Sequence, residues 1–145
     1  VNKVHRAYSF RLYPTKKQER QFRRTIGCCR FVYNHFLARR KEVYERDGTT
    51  LNQYACMREL PALKQRYPWL REVDSTALQR TLEELNDAFQ RFFREKKGYL
   101  HFKSKKHLKQ SYTSKRNGKE NDKATIRIEG SRIRLPKVGW VKFAK

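Results

Sequence analysis

Gly27-Cys28-Cys29-Arg30-Phe31-Val32-Tyr33-Asn34-His35-Phe36-Leu37, continued through Ala38-Arg39-Arg40-Lys41-Glu42-Val43-Tyr44, is the stretch from which the architecture is read. Phe22, Ile26, Cys29, Tyr33, Phe36, Leu37 and Tyr44 recur at steps of three and four, the spacing that lines one face of an α-helix. The spacing predicts a long basic helix with that face buried. Arg23, Arg24, Arg30, Arg39, Arg40 and Lys41 fall largely on the other faces, so one element offers both a core stripe and a cationic surface. A solvated amphipathic helix has the same pattern, and the rest of the chain must decide between them.

Upstream, Val4, Tyr8, Phe10 and Leu12 alternate with His5, Ala7, Ser9 and Arg11, a strand pattern from Val4 to Tyr13 that only Arg6 interrupts. Pro14 ends it, and Thr15 with Gln18 has capping-box spacing for a helix starting at Lys16. Gly27 costs roughly 1 kcal/mol against Ala in a helix interior. It marks either a break between two helices or a close approach, and the stripe keeping its phase across it favours continuity. Asp47-Gly48 supplies the stop.

Downstream, Thr50 and Gln53 again have capping-box spacing, and Leu51, Tyr54, Ala55 and Leu60 suggest a short helix. Pro61 is read as starting another turn, Pro68 as interrupting it, and Trp69 and Leu70 as plugging the end of the bundle. Asp74 or Ser75 then caps the most regular helix, in which Leu78, Leu82, Leu85, Phe89 and Phe92 form a core stripe facing the opening helix and Gly98 is the terminator. Beyond Gly98 the period turns to alternation. Tyr99 to Phe102 and Ser111-Tyr112-Thr113 are strand-like, Arg116 to Lys123 reads as a loop, and Ala124–Ile128 with Arg132–Leu135 forms a hairpin through Glu129-Gly130-Ser131. Trp140 to Phe143 is a further strand. The initial strand needs partners, most simply those after residue 100, so the order predicts an α+β fold: a small β-barrel or sheet into which residues 15–100 are inserted as a helical bundle.

The 145 residues carry 36 Lys and Arg against 14 Asp and Glu, a formal charge of +22. Such self-repulsion favours a polyanionic partner, and nucleic acid is the obvious one. Residues 101–145 alone hold 14 of the cations and 3 of the acids, so the C-terminal part is the denser cation. Nine Phe, eight Tyr and two Trp exclude a disordered basic tail. No run of about eighteen apolar residues and no cleavable leader pattern is present, so no membrane partner is expected and the cytosol or nucleoid of a prokaryote is the expected location. Cys28, Cys29 and Cys56 lack C-x-x-C spacing and are expected to be buried free thiols.

A metal-dependent nuclease gathers carboxylates. Here Glu42, Glu45 and Asp47, then Glu72 and Asp74, then Glu83, Glu84 and Asp87 fit capping and solvated pairing, and His5, His35, His101 and His107 lie on separate elements. No catalytic residue, metal or cofactor is expected in this chain. Lys103, Lys105, Lys106, Lys109, Lys115 and Arg116 are candidates for phosphate contact, with interleaved aromatic rings available to unpaired bases. Gln53, Gln79 and Asn117 are of the type that reads base edges.

Ala7-Tyr8-Ser9-Phe10-Arg11-Leu12-Tyr13-Pro14-Thr15, Gly-Cys-Cys-Arg-Phe-Val-Tyr-Asn at 27–34 and Leu135-Pro136-Lys137-Val138-Gly139-Trp140-Val141-Lys142 together resemble the N-terminal region of the OrfB/TnpB proteins of insertion-sequence transposons. Tyr67-Pro68-Trp69-Leu70-Arg71-Glu72-Val73 with Ala77-Leu78-Gln79, and Phe92-Phe93-Arg94 with Phe102-Lys103-Ser104-Lys105-Lys106, fit in the same order. The resemblance implies an RNA-guided DNA endonuclease whose wedge-like β-barrel, here 1–14 and 101–145, is interrupted by a helical recognition domain, here 15–100. These parts would hold guide RNA and read a short DNA motif beside the target duplex, while a RuvC-like nuclease domain follows later. Gln79 matches a motif-reading position, with Gln53, Ser75, Thr76 and Asn117 near others. Arg30, Arg39 and Arg40 are implied RNA contacts, and Tyr33 and Asn34 framework residues. Two rival readings remain: a stand-alone helix-turn-helix regulator or accessory transposition protein, and a structured-RNA-binding protein.

Overall fold

The computed structural model describes residues 4–95, 100–104, 110–116 and 125–144. Strand β1 is Leu12–Tyr13, followed by the long helix α1, Lys16–Asp47. Thr15 opens α1 with a complete capping box: its hydroxyl accepts the Gln18 N–H at 3.2 Å, and the Gln18 side-chain oxygen accepts the Thr15 N–H at 2.9 Å. The helix runs unbroken to Gly48, which adopts φ 68° and donates its N–H to the Tyr44 carbonyl at 2.8 Å. Gly27 is therefore not a break, nor a close approach among the described residues, since a Cβ there would meet none of them within 4 Å.

Helix α2, Gln53–Arg66, is capped by Asn52 instead of Thr50, with the Asn52 side-chain oxygen accepting the Ala55 N–H at 2.9 Å. Pro61 lies inside α2 and does not begin a new turn; burial of Cys56, Leu60 and Leu63 holds the helix together across the missing donor. Pro68–Glu72 forms a 3-10 turn, and α3 spans Ser75–Glu95. The expected terminator Gly98 lies outside the described residues.

α1 and α3 run in parallel. The Cys29 thiol meets the Ala77 carbonyl, Arg40 meets Asn86 and Phe89, and Tyr44 meets Phe93 further along both helices. α2 runs antiparallel beside them, with Arg39 on Glu59 and Phe31 against Tyr67. Val32, Phe36, Leu37, Leu70, Leu78, Leu82 and Leu85 are fully enclosed where these elements meet. Flanked on both sides, α1 buries a wider arc than one stripe: Cys28, Val32, Val43 and even Arg40 turn inward, whereas Tyr44 is exposed.

The expected closed β-barrel interrupted by a helical bundle is not what the chain forms. Among the described residues the strands make one open antiparallel sheet in the order β1-β4-β3-β2, with β2 Arg127–Glu129, β3 Arg132–Leu135 and β4 Gly139–Phe143. Four strands of two to five residues are too few and too short to tilt and close on themselves. The first strand does find its partner late in the chain, pairing Leu12 with Phe143 and Tyr13 with Lys142. Val4 to Arg11 and Ser111 to Thr113, both read as strand, have no strand geometry. One sheet face, including Val141 and Phe143, turns toward α1 across an apolar cleft of about 520 Å³ lined by Leu12, Phe22, Ile26, Ile133 and Leu135. The Gln18 amide ties α1 to this sheet through the Trp140 carbonyl at 2.7 Å.

Candidate nucleic-acid interface

The N-terminus of α3 is built around a buried carboxylate. Asp74 accepts the Thr76 N–H at 3.0 Å and the Thr76 hydroxyl at 2.7 Å on one oxygen, and the Ser114 hydroxyl on the other. The Thr76 hydroxyl in turn accepts the Lys115 N–H at 3.0 Å. The segment 110–116 is thereby strapped onto the first turn of α3. Ser75 is exposed at this turn and Gln79 one turn further on, while Lys115 and Arg116 are exposed at the end of the strap. Thr76 is buried and its hydroxyl is engaged in the strap, which makes it a positioning residue in this geometry.

Gln53 does not join them. It opens α2 just after the C-terminal end of α1, whereas Ser75 lies beside the Cys29 level of α1, a separation of about 25 Å along the bundle at 1.5 Å per residue. Asn117, Lys105, Lys106 and Lys109 lie outside the described residues.

A second strap crosses α1. Asn34 donates its amide to the Lys103 carbonyl at 2.8 Å and accepts the Lys103 N–H at 2.7 Å, while the Lys41 amine reaches the Leu100 carbonyl at 3.0 Å. The Lys103 amine lies 4.2 Å from the Tyr33 ring centroid. Arg30 and Lys103, with Arg80, Glu84 and Tyr112, line a small cavity of about 30 Å³, and Arg30 makes no ion pair among the described residues. Arg39 is half-exposed and hydrogen-bonded to Glu59 at 3.1 Å. Arg40 is turned inward: its guanidinium lies 4.3 Å from the Phe89 centroid and donates to Asn86, and burial lowers its pKa. The helix periodicity had placed Arg40 outside; the wide buried arc of α1 places it in the core.

The sheet adds a further cationic surface among the described residues. Strand register sets Arg127 opposite Arg134 and Arg132 opposite Lys142, on the same face as Trp140 and Tyr13, with Glu129 as the acid among them. Arg127 and Arg132 lie 5.5 and 5.7 Å from the Trp140 ring centroid. Like charges directly opposite one another oppose strand pairing. The alternation of Arg132-Ile133-Arg134 and the cation density of residues 101–145 carry the signal, but which cations face one another depends on register.

The cysteines are chemically quiet. Burial is the largest influence on Cys28, Cys29 and Cys56, each raised to about 11. Among the described residues no three His, Cys, Asp or Glu side chains are gathered as a metal site, and no helix is long and apolar enough to cross a membrane.

A three-helix body carrying an open sheet with one cationic face belongs to the class of folded basic proteins suited to a polyanion. Residues 2–49, which are the N-terminal segment, β1, all of α1 and the turn begun by Gly48, match a family model described as a helix-turn-helix domain of OrfB type. A protein named putative RNA-guided DNA endonuclease InsQ from Escherichia coli is 32% identical over 139 residues, covering 94% of this chain and 33% of that protein. A putative RNA-guided DNA endonuclease of Streptomyces pristinaespiralis is 33% identical over 115 residues, covering 73% of this chain and 27% of that protein. Virulence protein VsdF of Salmonella dublin is 33% identical over 100 residues, covering 63% of this chain and 84% of that protein. The chain belongs to the OrfB/TnpB family, and it spans about a third or less of the two endonuclease relatives, matching their N-terminal part.

Proposed function

We propose that this chain is the nucleic-acid-binding N-terminal portion of a TnpB-type RNA-guided DNA endonuclease, holding guide RNA and reading a DNA motif beside the target. Cutting belongs to a nuclease portion beyond it. The observation that carries the reading is the sheet face with Arg127 opposite Arg134 and Arg132 opposite Lys142. Such pairs destabilise an isolated sheet and are relieved by phosphates lying across them. On this reading the sheet and the segments 1–14 and 101–145 act as the wedge-like part, and 15–100 acts as the recognition part. The Asp74-centred strap would present Ser75 and Gln79 to base edges, with Lys115 and Arg116 on the adjoining backbone. A cytosolic or nucleoid location follows from those partners.

The test is binding of guide RNA and of motif-bearing duplex to the purified chain between about 50 and 200 mM salt. A mode using six to ten phosphates loses roughly 10³- to 10⁵-fold over that range. Arg132→Ala with Lys142→Ala should reduce the salt slope by about 1 per contact removed while raising stability in the absence of nucleic acid. Affinity independent of salt would refute the reading. The second reading, a stand-alone regulator, rests on the description of the matching family model, although residues 2–49 hold one continuous helix. Selection for bound duplex without any RNA separates the two, since RNA-independent enrichment of one sequence favours the regulator.

A further inference from the structure

Trp69 does not plug the bundle. It is 41% exposed while its neighbour Leu70 is fully buried, because the 3-10 turn spends its inward position on Leu70 and leaves the indole one step outside. The ring is nonetheless held firmly. It stands edge-on to Phe31 at 4.9 Å, Phe31 stands edge-on to Tyr67 at 5.0 Å, and Tyr67 lies 5.7 Å from Trp69, so three rings brace one another.

The surroundings of this ledge are cationic. Lys64, Arg66 and Arg71 come from the same stretch with no acid between them, and none makes an ion pair among the described residues. The Arg66 guanidinium lies 5.3 Å from the Tyr67 centroid. Burial, and then the nearby Arg71, hold the Lys64 amine below its ordinary pKa. An apolar protein segment covering Trp69 would leave these cations unanswered. A stacked base with its phosphates satisfies both ring and charge, and an unpaired base is required because bases within a duplex are already stacked on each other.

We propose that the Trp69–Phe31–Tyr67 ledge is a stacking site for an unpaired base of single-stranded nucleic acid, with Arg66 and Arg71 on the flanking phosphates. The site lies on the Phe31 flank of α1, distinct from the cationic sheet and the Asp74 strap. It rests on the reading of the chain as a nucleic-acid binder and adds a single-strand site to it.

The test compares a fluorescein-labelled oligothymidylate with an abasic oligonucleotide of the same length and charge, by anisotropy on the full chain at fixed salt. The wild-type chain is expected to prefer the thymidylate by roughly 5- to 100-fold, the range of one stacked base. Trp69→Ala should erase that preference, and Trp69→Phe should keep part of it. Arg66→Ala should weaken both oligonucleotides alike, and duplex affinity should be untouched by Trp69→Ala. Melting curves of each variant confirm that the fold persists. A preference that survives Trp69→Ala, or a wild-type chain that binds duplex yet shows no preference for bases, overturns the stacking site alone. A wild-type chain that binds neither duplex nor either oligonucleotide overturns the nucleic-acid reading itself.

Discussion

Gly27→Ala is expected to make this protein more stable. Gly27 sits in the interior of a continuous 32-residue helix, where glycine is less favourable than alanine by about 0.8–1.0 kcal/mol. That cost comes mainly from backbone freedom lost on folding. The usual reason to retain glycine, a neighbour in the way of a methyl group, is absent among the described residues, none of which lies within 4 Å of a Cβ at this position. The full helix-propensity difference should therefore appear as stability. For a chain of 145 residues, about 1 kcal/mol corresponds to a rise in melting temperature of roughly 3–4 °C. It moves the urea midpoint by about half a molar if the slope is near 2 kcal/mol/M. Urea denaturation followed by circular dichroism at the helix band reads this directly, with an unchanged slope as the control for two-state behaviour. A midpoint that stays put or falls would refute the reasoning, since it would mean that the backbone at Gly27 is not helical in solution or that its outward side is occupied.

Asp74→Ala removes the cap of α3 and the anchor of segment 110–116 together. It should cost about 1–2 kcal/mol and speed tryptic cleavage after Lys115 and Arg116; an unchanged cleavage rate would disprove the strap. Asn34→Leu strands the Lys103 N–H and carbonyl, a loss of roughly 1–3 kcal/mol, measurable by the same urea titration. The His35 pKa is lowered from its ordinary 6.5 by burial first and then by Arg66. The unfolded chain therefore binds the extra proton more readily, so this contribution to stability is full above pH 6.5 and is lost as the pH falls through the depressed folded value. A urea midpoint falling from pH 7.5 to 5.5 in the wild type, and falling less in His35→Phe, would confirm the sign. Thiols raised to about 11 are thiolate in only about one molecule in a thousand or fewer near neutral pH. Ellman's reagent should accordingly label the native chain slowly and report all three cysteines at once on unfolding.

The parts of the fold that were legible are the parts decided locally. Thr15 with Gln18, and Gly48 after Asp47, are short-range devices, and they bound α1 where the spacing said they would. The leucine stripe of α3 faces α1 for the same reason. What failed depends on partners far away in sequence. Val4 to Phe10 alternates as a strand should, but a strand exists only where another backbone accepts its hydrogen bonds, and β4 meets only Leu12 and Tyr13. Barrel closure depends on strand length and tilt, which alternation does not encode. Arg40 was placed outside because a period treats every arginine as polar surface, whereas α1 is covered from two sides. The Asp74–Ser114 link joins residues 40 apart, and no local spacing announces it. Of the candidate site, Gln79, Ser75, Lys115 and Arg116 were legible as residue types, but the strap that ties segment 110–116 to the first turn of α3 was not. The cationic sheet face required register, which only the folded strands supply.

The pairing of Leu12 with Phe143 also sets a timetable. A ribosome adding about 5–20 residues per second needs roughly 7–25 s to travel from one to the other. During that interval all three helices can form and pack, yet Leu12 and Tyr13 have no partner strand and must wait in the open. The sheet is thus completed only after α1, α2 and α3 have been made, and its cationic face comes into being only once the helical body is already in place. A nascent chain arrested before β4 emerges would be well supplied with helix, would lack the in-register arginines, and would present an unpaired apolar strand to whatever chaperone stands at the exit tunnel.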